Sequence, residues 1–423
     1  MEEARDAVEV RSVEAEEIEA WDRAKAVTFQ GDPREVTGPR VELRRRAWDP
    51  ARAWGAFAGS AVVGTLRTLP RRFTVPGPDD ATVDLAQVDA LTAVTVSATH
   101  RRRGLLRRML TESLTAAAER GDPMSILIAA EWNIYGRFGY APASAWSNWT
   151  LDRRRPGAAL RPEIPVRGVL RPAEAKELLD VAPPVFDLAR RQRAGQIDRP
   201  SDVWQFFLDP QLHTGGSKSS IGIVHEGQDG VDGVLAWHTG TEFDFDRGGT
   251  IVVEDFFAAN QDAYTALWSY LLAMDVVDEV TFDARPPDEP IRHLLVDGRC
   301  LRTAKSLDAV WVRLLDIPAA LSTRHYSTEG ALVLDVVDEQ VGRFAAGRYR
   351  LAGGPDGATC VRAPQASPDL RLSQRAMAAV YLGLPSLRAQ QIAGRVDELT
   401  PGAVARADAM FITGWQPWLA TGF

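Results

Sequence analysis

Between Val94 and Leu110 the chain reads VTVSATHRRRGLLRRML, a β-branched run that passes through a polar turn and an arginine triplet into a segment with helical spacing of leucines. A helix start of this kind offers unpaired backbone N–H groups and the positive end of the helix dipole. Gly104 keeps the backbone open to close approach, and Arg101, Arg102, Arg103 and Arg107 add charge-assisted donors. That combination suits an anion. Without one, arginines at the positive end of a helix oppose it by about 0.3 kcal/mol or more each. The alternative is a solvated basic helix start, which charge runs often are. The R-R-x-G-L spacing directly after a strand differs from a dinucleotide G-x-G-x-x-G and points to the pyrophosphate of coenzyme A.

A second segment, AAEWNIYGRFGYAP (Ala129–Pro142), puts Tyr135 immediately before a Gly136–Tyr140 turn. Acyl transfer from a thioester releases a thiolate, and a tyrosine hydroxyl beside the sulfur can supply its proton. The competing reading is a core aromatic with a satisfied hydroxyl. His100 lies in the polar turn, on the anion side rather than at the acyl carbon, and is discounted as a base.

The elements that must position these residues follow from periodicity. Val8–Val13 alternates and leads into a helix carrying Ile18, Trp21, Ala24 and Val27; a hairpin spans 54–57 and 62–66, and a short strand 73–75. Asp89–Val96 is the next strand, Gly104–Arg120 a long helix and Ile126–Ala130 the strand that completes a mixed sheet. Asp152–Gly168 is charged and rich in proline and glycine, which predicts a linker. Beyond it, strands at IGIVH, GVLAWH and TIVVEDF precede the helix AYTALWSYLLAM and the strand EVTFDA, an order like that of the first unit and readable as a degenerate repeat. The turn before that helix carries Glu254, Asp255 and Asp262 without glycine or arginine, so a pyrophosphate would meet negative charge there. From Leu307 onward, a strand at AVWVRLLD, a helix at IPAALSTRHY, an alternating pair (ALVLDVVD, GRFAAGRYRL) and two helices (SQRAMAAVYLG, PSLRAQQIAGR) read as a small α+β unit reaching the last residue. The fold class expected is therefore α+β, two mixed-sheet α/β units followed by this third.

With 423 residues, 45% of them hydrophobic, the chain exceeds one core and divides into two or three. A formal net charge of −8 opposes a nucleic-acid partner, which needs a basic surface. Cys300 and Cys360 stand far apart with no C-x-x-C, so buried thiols are expected in a reducing compartment and no zinc site or other metal. No secretory signal or 18-residue apolar run occurs, so the expected location is the cytoplasm with no membrane span.

VTVSATHRRRGLLRRML together with IYGRFGYAP resembles the GNAT acetyltransferases, and specifically the Eis (enhanced intracellular survival) family. IRHLLVDGRCLRT, AVWVRLLDIPAAL, AVYLG and the terminal phenylalanine resemble landmarks of that family in its order, across essentially the whole chain. The resemblance implies a catalytic GNAT domain over 1–150, a GNAT-like domain without a cofactor site over 151–303 and a sterol-carrier-protein-like domain over 304–423. It implies a homohexamer built as a trimer of dimers. It also implies acetyl-coenzyme A as acetyl donor. The backbone of Val94, Thr95 and Val96 would hold its pantetheine arm, the stretch Arg101, Arg102, Arg103, Gly104, Leu105, Leu106 and Arg107 its pyrophosphate, and Ala130 and Glu131 would lie beside the acetyl group. Tyr135 would be the general acid, and the carboxylate of Phe423 the general base for an amine acceptor that is a small molecule or a lysine. A polycationic aminoglycoside calls for several pocket carboxylates. Here Gly422 stands beside the terminus where members of the family that act on aminoglycosides carry an acid, which leaves Asp22, Asp32 and Glu35 as candidates. Trp415 and Trp418 would line an aromatic pocket for a planar or apolar amine, or serve as core. Protein lysine acetylation, and binding of acyl-coenzyme A or an apolar ligand without turnover, are the alternative functions.

Overall fold

The computed structural model describes residues 8–36, 38–78, 81–208, 221–244, 246 and 248–423. Its first unit comprises β1 (Val8–Ser12), α1 (Ile18–Thr28), α2 (Gly38–Arg46), β2 (Ala53–Ala58), β3 (Ala61–Pro76), β4 (Thr82–Val96), α3 (Leu105–Glu119), β5 (Met124–Ile128), α4 (Trp132–Tyr135) and β6 (Ala141–Pro142). The second comprises β7 (Ala145–Asp152), β8 (Val169–Ala173), α5 (Ala175–Arg190), α6 (Ser201–Leu208), β9 (Ile221–Gly227), β10 (Gly230–Thr241), β11 (Gly249–Ala258), α7 (Gln261–Ala273), β12 (Val277–Arg285), α8 (Ile291–Leu294) and β13 (Leu301–Asp308). β14 (Val310–Leu314) then leads to α9 (Ile317–Thr323), β15 (Gly330–Val337), β16 (Gly347–Gly354), β17 (Gly357–Arg362), β18 (Leu370–Ser373), α10 (Gln374–Val380), α11 (Leu387–Ile392), β19 (Val396–Glu398) and α12 (Ala403–Phe411).

The two seven-stranded sheets have the same topology, β1-β2-β3-β4-β5-β14-β6 in one and β8-β9-β10-β11-β12-β7-β13 in the other. The two sheets exchange their sixth strands: β7, which follows β6 in sequence, sits between β12 and β13, and β14, which follows β13, sits between β5 and β6. Divisions at residues 150 and 303 thus run through β7 and β13. The repeat read from element order is present as repeated topology.

β3 is one strand of 16 residues, where a hairpin arm and a separate short strand were expected. Val63, Leu66, Phe73 and Val75 are buried along it, and Arg67 and Arg71, which interrupt the apolar pattern, are buried too. α3 buries Leu105, Met109, Leu110, Leu114 and Ala117 on one face, against Leu66, Leu91 and Leu127 of the sheet. The opposite face of that sheet, through Val88, Ala90, Ile126 and Val312, shares one core with Leu321, Tyr326, Tyr381 and Phe411 of the third unit. That unit is a five-stranded sheet in the order β17-β16-β15-β18-β19. After α12 the chain runs irregularly from Ile412 to Phe423.

Candidate functional site

β4 and β5 run parallel and pair only from Asp89↔Ser125 to Leu91↔Leu127. Beyond Leu91 they separate. On its other edge β4 stays paired with β3 but slips register between Arg67↔Thr92 and Thr65↔Thr95, and Ala93 takes a φ of 54°. A non-glycine residue in the left-handed region costs about 1 kcal/mol and is held there by its surroundings. Here the Thr65 hydroxyl donates to the Ala93 carbonyl at 2.7 Å and meets the Thr95 hydroxyl at 2.7 Å. The edge of β4 at Val94, Thr95 and Val96 is thereby left without β5 beside it.

At the end of this strand the chain turns through residues 97–104 into α3. Arg102 and Gly104 have φ of 64° and 75°. Gly104 occupies the N-cap position with no side-chain cap, and no acid lies in the first turn of α3. Arg101, Arg102, Arg103, Gly104 and Arg107 are exposed, Leu106 is half-buried, and Leu105 anchors the helix in the core. Arg107 lies 6.0 Å over the Phe138 ring, and Arg108 donates to the Val8 carbonyl at 2.9 Å. The open first-turn N–H groups and exposed guanidinium groups fit a diphosphate in charge and donor geometry. The second unit lacks these features. Only Ala259 and Asn260 separate β11 from α7, Asn260 caps that helix through the Ala263 N–H at 2.9 Å, and Asp262 lies in its first turn.

β5 ends at Ile128, so Ala130 and Glu131 lie in the bend beyond it and not in the strand; both are exposed. The one-turn helix α4 follows and buries Tyr135, 7% exposed, edge-on to Tyr140 with ring centroids 6.1 Å apart. Burial first, and the nearby Glu131 carboxylate second, push the Tyr135 phenol up to about 12. The turn after it has a steric reason for its glycines. Gly139 has a φ of 87°, and a Cβ there would fall 1.6 Å from Nη1 of the buried Arg313 of β14; a Cβ on Gly136 would fall 2.8 Å from Nη2 of Arg375.

The C-terminal tail is held by the second unit and ends in the first. The Gln416 N–H donates to Asp288 (2.9 Å), the Trp418 N–H to the Ala194 carbonyl (3.0 Å) and the Trp418 indole to the Ala284 carbonyl (2.6 Å). The Ala420 N–H donates to Gln196 Oε1 at 2.9 Å, and Arg199 donates to the Thr421 hydroxyl at 2.9 Å. Phe423 then reaches the point where β4 leaves β5: the Thr92 hydroxyl donates to its main-chain oxygen at 2.9 Å. Residues 331 positions apart in sequence meet there, and Gly422 faces Ile128.

The remaining candidates are placed elsewhere. Asp22 is buried and bonded to Arg44 (2.5 Å) and Lys25 (3.0 Å), so it brings no surplus negative charge. Asp32 caps a short turn through the Arg34 N–H. The Glu35 side chain lies outside the described residues. His100 accompanies Thr99 in the turn. Trp415 and Trp418 face the second unit, where Arg193 and Arg285 stack on them at 4.5 and 5.2 Å. Cys300 and Cys360 are free and buried. Thr65, Thr92 and Gln196, which hold the bulge and the tail, escaped the sequence reading because ordinary polar residues carry no periodic or charge signature. Among the described residues no helix is long and apolar enough to cross a membrane.

Residues 9–143 and 195–314 match acetyltransferase (GNAT) domain families, and residues 317–420 match a sterol carrier protein domain. The chain is 35% identical over 424 residues to an "uncharacterized N-acetyltransferase" of Streptomyces avermitilis, covering 98% of each. It is 32% identical to the "N-acetyltransferase Eis" of Mycobacterium tuberculosis over 84% of this chain and 85% of that one. The crystal structure of Eis1 from Mycobacterium abscessus superposes with a TM-score of 0.81 at 28% identity, over 98% of this chain and all of that one. Two topologically equal GNAT units, a sterol-carrier-like unit and this likeness along nearly the whole length establish that the chain belongs to the Eis family of GNAT N-acetyltransferases.

Proposed function

We propose that this acetyltransferase moves the acetyl group of acetyl-coenzyme A to a primary amine by direct attack within a ternary complex, with the Phe423 carboxylate as base and Tyr135 as acid. The observation that carries the proposal is the seating of the last residue at the opening between β4 and β5 through Thr92. The main-chain carboxylate of Phe423 would there supply an acceptor beside the proposed acetyl site. Acetyl-coenzyme A supplies an activated acyl carbon. The arginine turn and the N-terminus of α3 hold the diphosphate, the free edge at Val94, Thr95 and Val96 hydrogen-bonds the pantetheine arm, and Ala130 and Glu131 flank the reacting carbonyl. Phe423 takes a proton from the ammonium of the acceptor, and Tyr135, held protonated by burial, donates at the sulfur.

The acceptor side supports a small amine in preference to an aminoglycoside, because Asp22 is neutralised by Lys25 and Arg44 and Gly422 brings no acid. The resemblance supports a cytoplasmic homohexamer, a trimer of dimers; light scattering on the purified chain should give six times the chain mass. Incubating the chain with acetyl-coenzyme A and a panel of alkylamines, arylalkylamines, a lysine peptide and an aminoglycoside, with thiol detection and product mass, tests the reaction. Thiol release in step with acetylated amine is expected for at least one small amine. Donor binding with no release above background across the panel would contradict it.

A further inference from the structure

The two arginines that interrupt the apolar pattern of β3 are buried close to the proposed base. Arg67 is 6% exposed and Arg71 7%. Across β3 and β4, Arg67 pairs directly with Thr92 and Arg71 with Val88. Residues paired across two strands share a face, so Arg67 stands beside the threonine whose hydroxyl holds Phe423. On its other side Arg67 pairs with Ala53 of β2, which packs with Trp21 of α1. The neighbours Leu66 and Leu91 point the opposite way, toward α3.

A buried arginine is ordinarily met by a carboxylate. Among the described residues neither of these has one at ion-pair distance. Arg67 donates through Nη2 to the Ala47 carbonyl and stacks on Trp48 at 4.9 Å; its Nε is sealed without a partner, and its Nη1 makes no hydrogen bond among the described residues. Arg71 donates through Nη1 to the Pro70 carbonyl at 3.0 Å. The nearby acids are engaged or stand off. Asp22 is bonded to Arg44 and Lys25, Asp198 accepts the Arg72 N–H at 2.9 Å, and Asp202 faces both arginines without an ion pair to either. Burial, and after it the Arg44 charge, pull the Arg67 guanidinium down to about 10, and burial lowers Arg71. Lys25, Arg44, Arg67 and Arg71 thus outnumber by one the acids around them, Asp22, Asp198 and Asp202.

We propose that the acceptor amine carries its own carboxylate, which Arg67 receives under α1 while the ammonium faces the Phe423 carboxylate. This rests on the acetyl transfer proposed above and specifies its acceptor class. A zwitterion matches these surroundings charge for charge. The terminal carboxylate attracts the ammonium, and a surplus of one cation takes one negative charge, which suits a carboxylate better than a dianionic phosphate. Nη1 of Arg67 is the donor left for it, and Arg71 adds to the field. A polycation would meet repulsion there.

Matched amines test this with the full chain: hexylamine against ε-aminocaproate, and phenethylamine against para-carboxyphenethylamine and its uncharged methyl ester. In at least one set the carboxylated member should exceed its partner in kcat/KM about tenfold or more, through KM, the weight of a charge-assisted hydrogen bond, and the ester should lose that advantage. Arg67→Gln should bring the ratio close to one. If that variant does not fold, Arg71→Gln should still lower the ratio several-fold, and the wild-type comparison stands without either. Calorimetry of the same amines against the chain loaded with coenzyme A separates the acceptor class from the transfer itself: a carboxylate preference in binding without thiol release would remove the transfer and keep the acceptor site. No preference in rate or binding, or a preference untouched by these variants, would overturn the proposal.

Discussion

Tyr135 shows how much a residue's surroundings determine its use. Because its phenol is pushed up to about 12, mainly by burial, the proton-bearing form persists through the neutral and mildly alkaline range. A group raised in this way loses its proton only as pH passes its folded value, so Tyr135 contributes no alkaline limb to turnover below about pH 11. Tyr135→Phe should lower kcat about 100-fold with the affinity for acetyl-coenzyme A retained, and the profiles of the two proteins should be parallel between pH 7 and 10. A wild-type rate in the variant would make the ring purely structural. The hydroxyl was readable in sequence only as a tyrosine beside a glycine turn; its burial and its edge-on contact with Tyr140 come from packing that no local pattern encodes. Asp22 illustrates the converse. An acid near the substrate loop was a reasonable candidate for an ammonium site, yet Arg44, on a helix that lacks apolar periodicity and was not foreseen, claims it.

At the scale of elements, the proposed donor site is a strand edge and a helix start, and both of these elements were legible because each has a local signature, β-branched residues in one and an arginine-glycine turn in the other. Arg102→Ala should weaken acetyl-coenzyme A about tenfold by calorimetry at moderate salt, since each charge-assisted contact contributes about 1.5 to 3 kcal/mol; unchanged affinity would remove the turn from the site. The bulge that opens β4 was not legible, because its cause is a hydroxyl on the neighbouring strand. Thr65→Val removes the bond to the Ala93 carbonyl and should raise the KM for acetyl-coenzyme A several-fold with the fold intact; an unaltered KM would show that the bulge holds itself. Gly139→Ala is expected to be severe. It places a methyl against the Arg313 guanidinium at a positive φ, and a loss of about 2 kcal/mol or more should appear as a lowered melting temperature. A melting curve like that of the wild type would mean that Arg313 moves freely.

Across the whole molecule, three units were legible in sequence from element order, but their interdependence was not, and the proline- and glycine-rich stretch 152–168, expected to link two units, joins β7 to β8 within the second sheet. Strand pairing between segments far apart is invisible to periodicity, so the reciprocal insertion of β7 and β14 emerged only in three dimensions. Each unit is incomplete without the others: β14 closes the catalytic sheet, the third unit covers its open face, and the second unit carries the tail past Ala194, Gln196 and Ala284 to Thr92. On the proposed mechanism, the unit that lacks the arginine turn supports the base of the unit that has it. Adding a single glycine after Phe423 tests this most directly, since it replaces the terminal carboxylate at Thr92 with an amide that cannot accept a proton and moves the charge one residue away. With one good amine acceptor, the account predicts that kcat falls about 100-fold across the pH–rate profile while acetyl-coenzyme A binds as before. Equal rates for the extended and native chains at every pH would contradict it and assign the proton to another group.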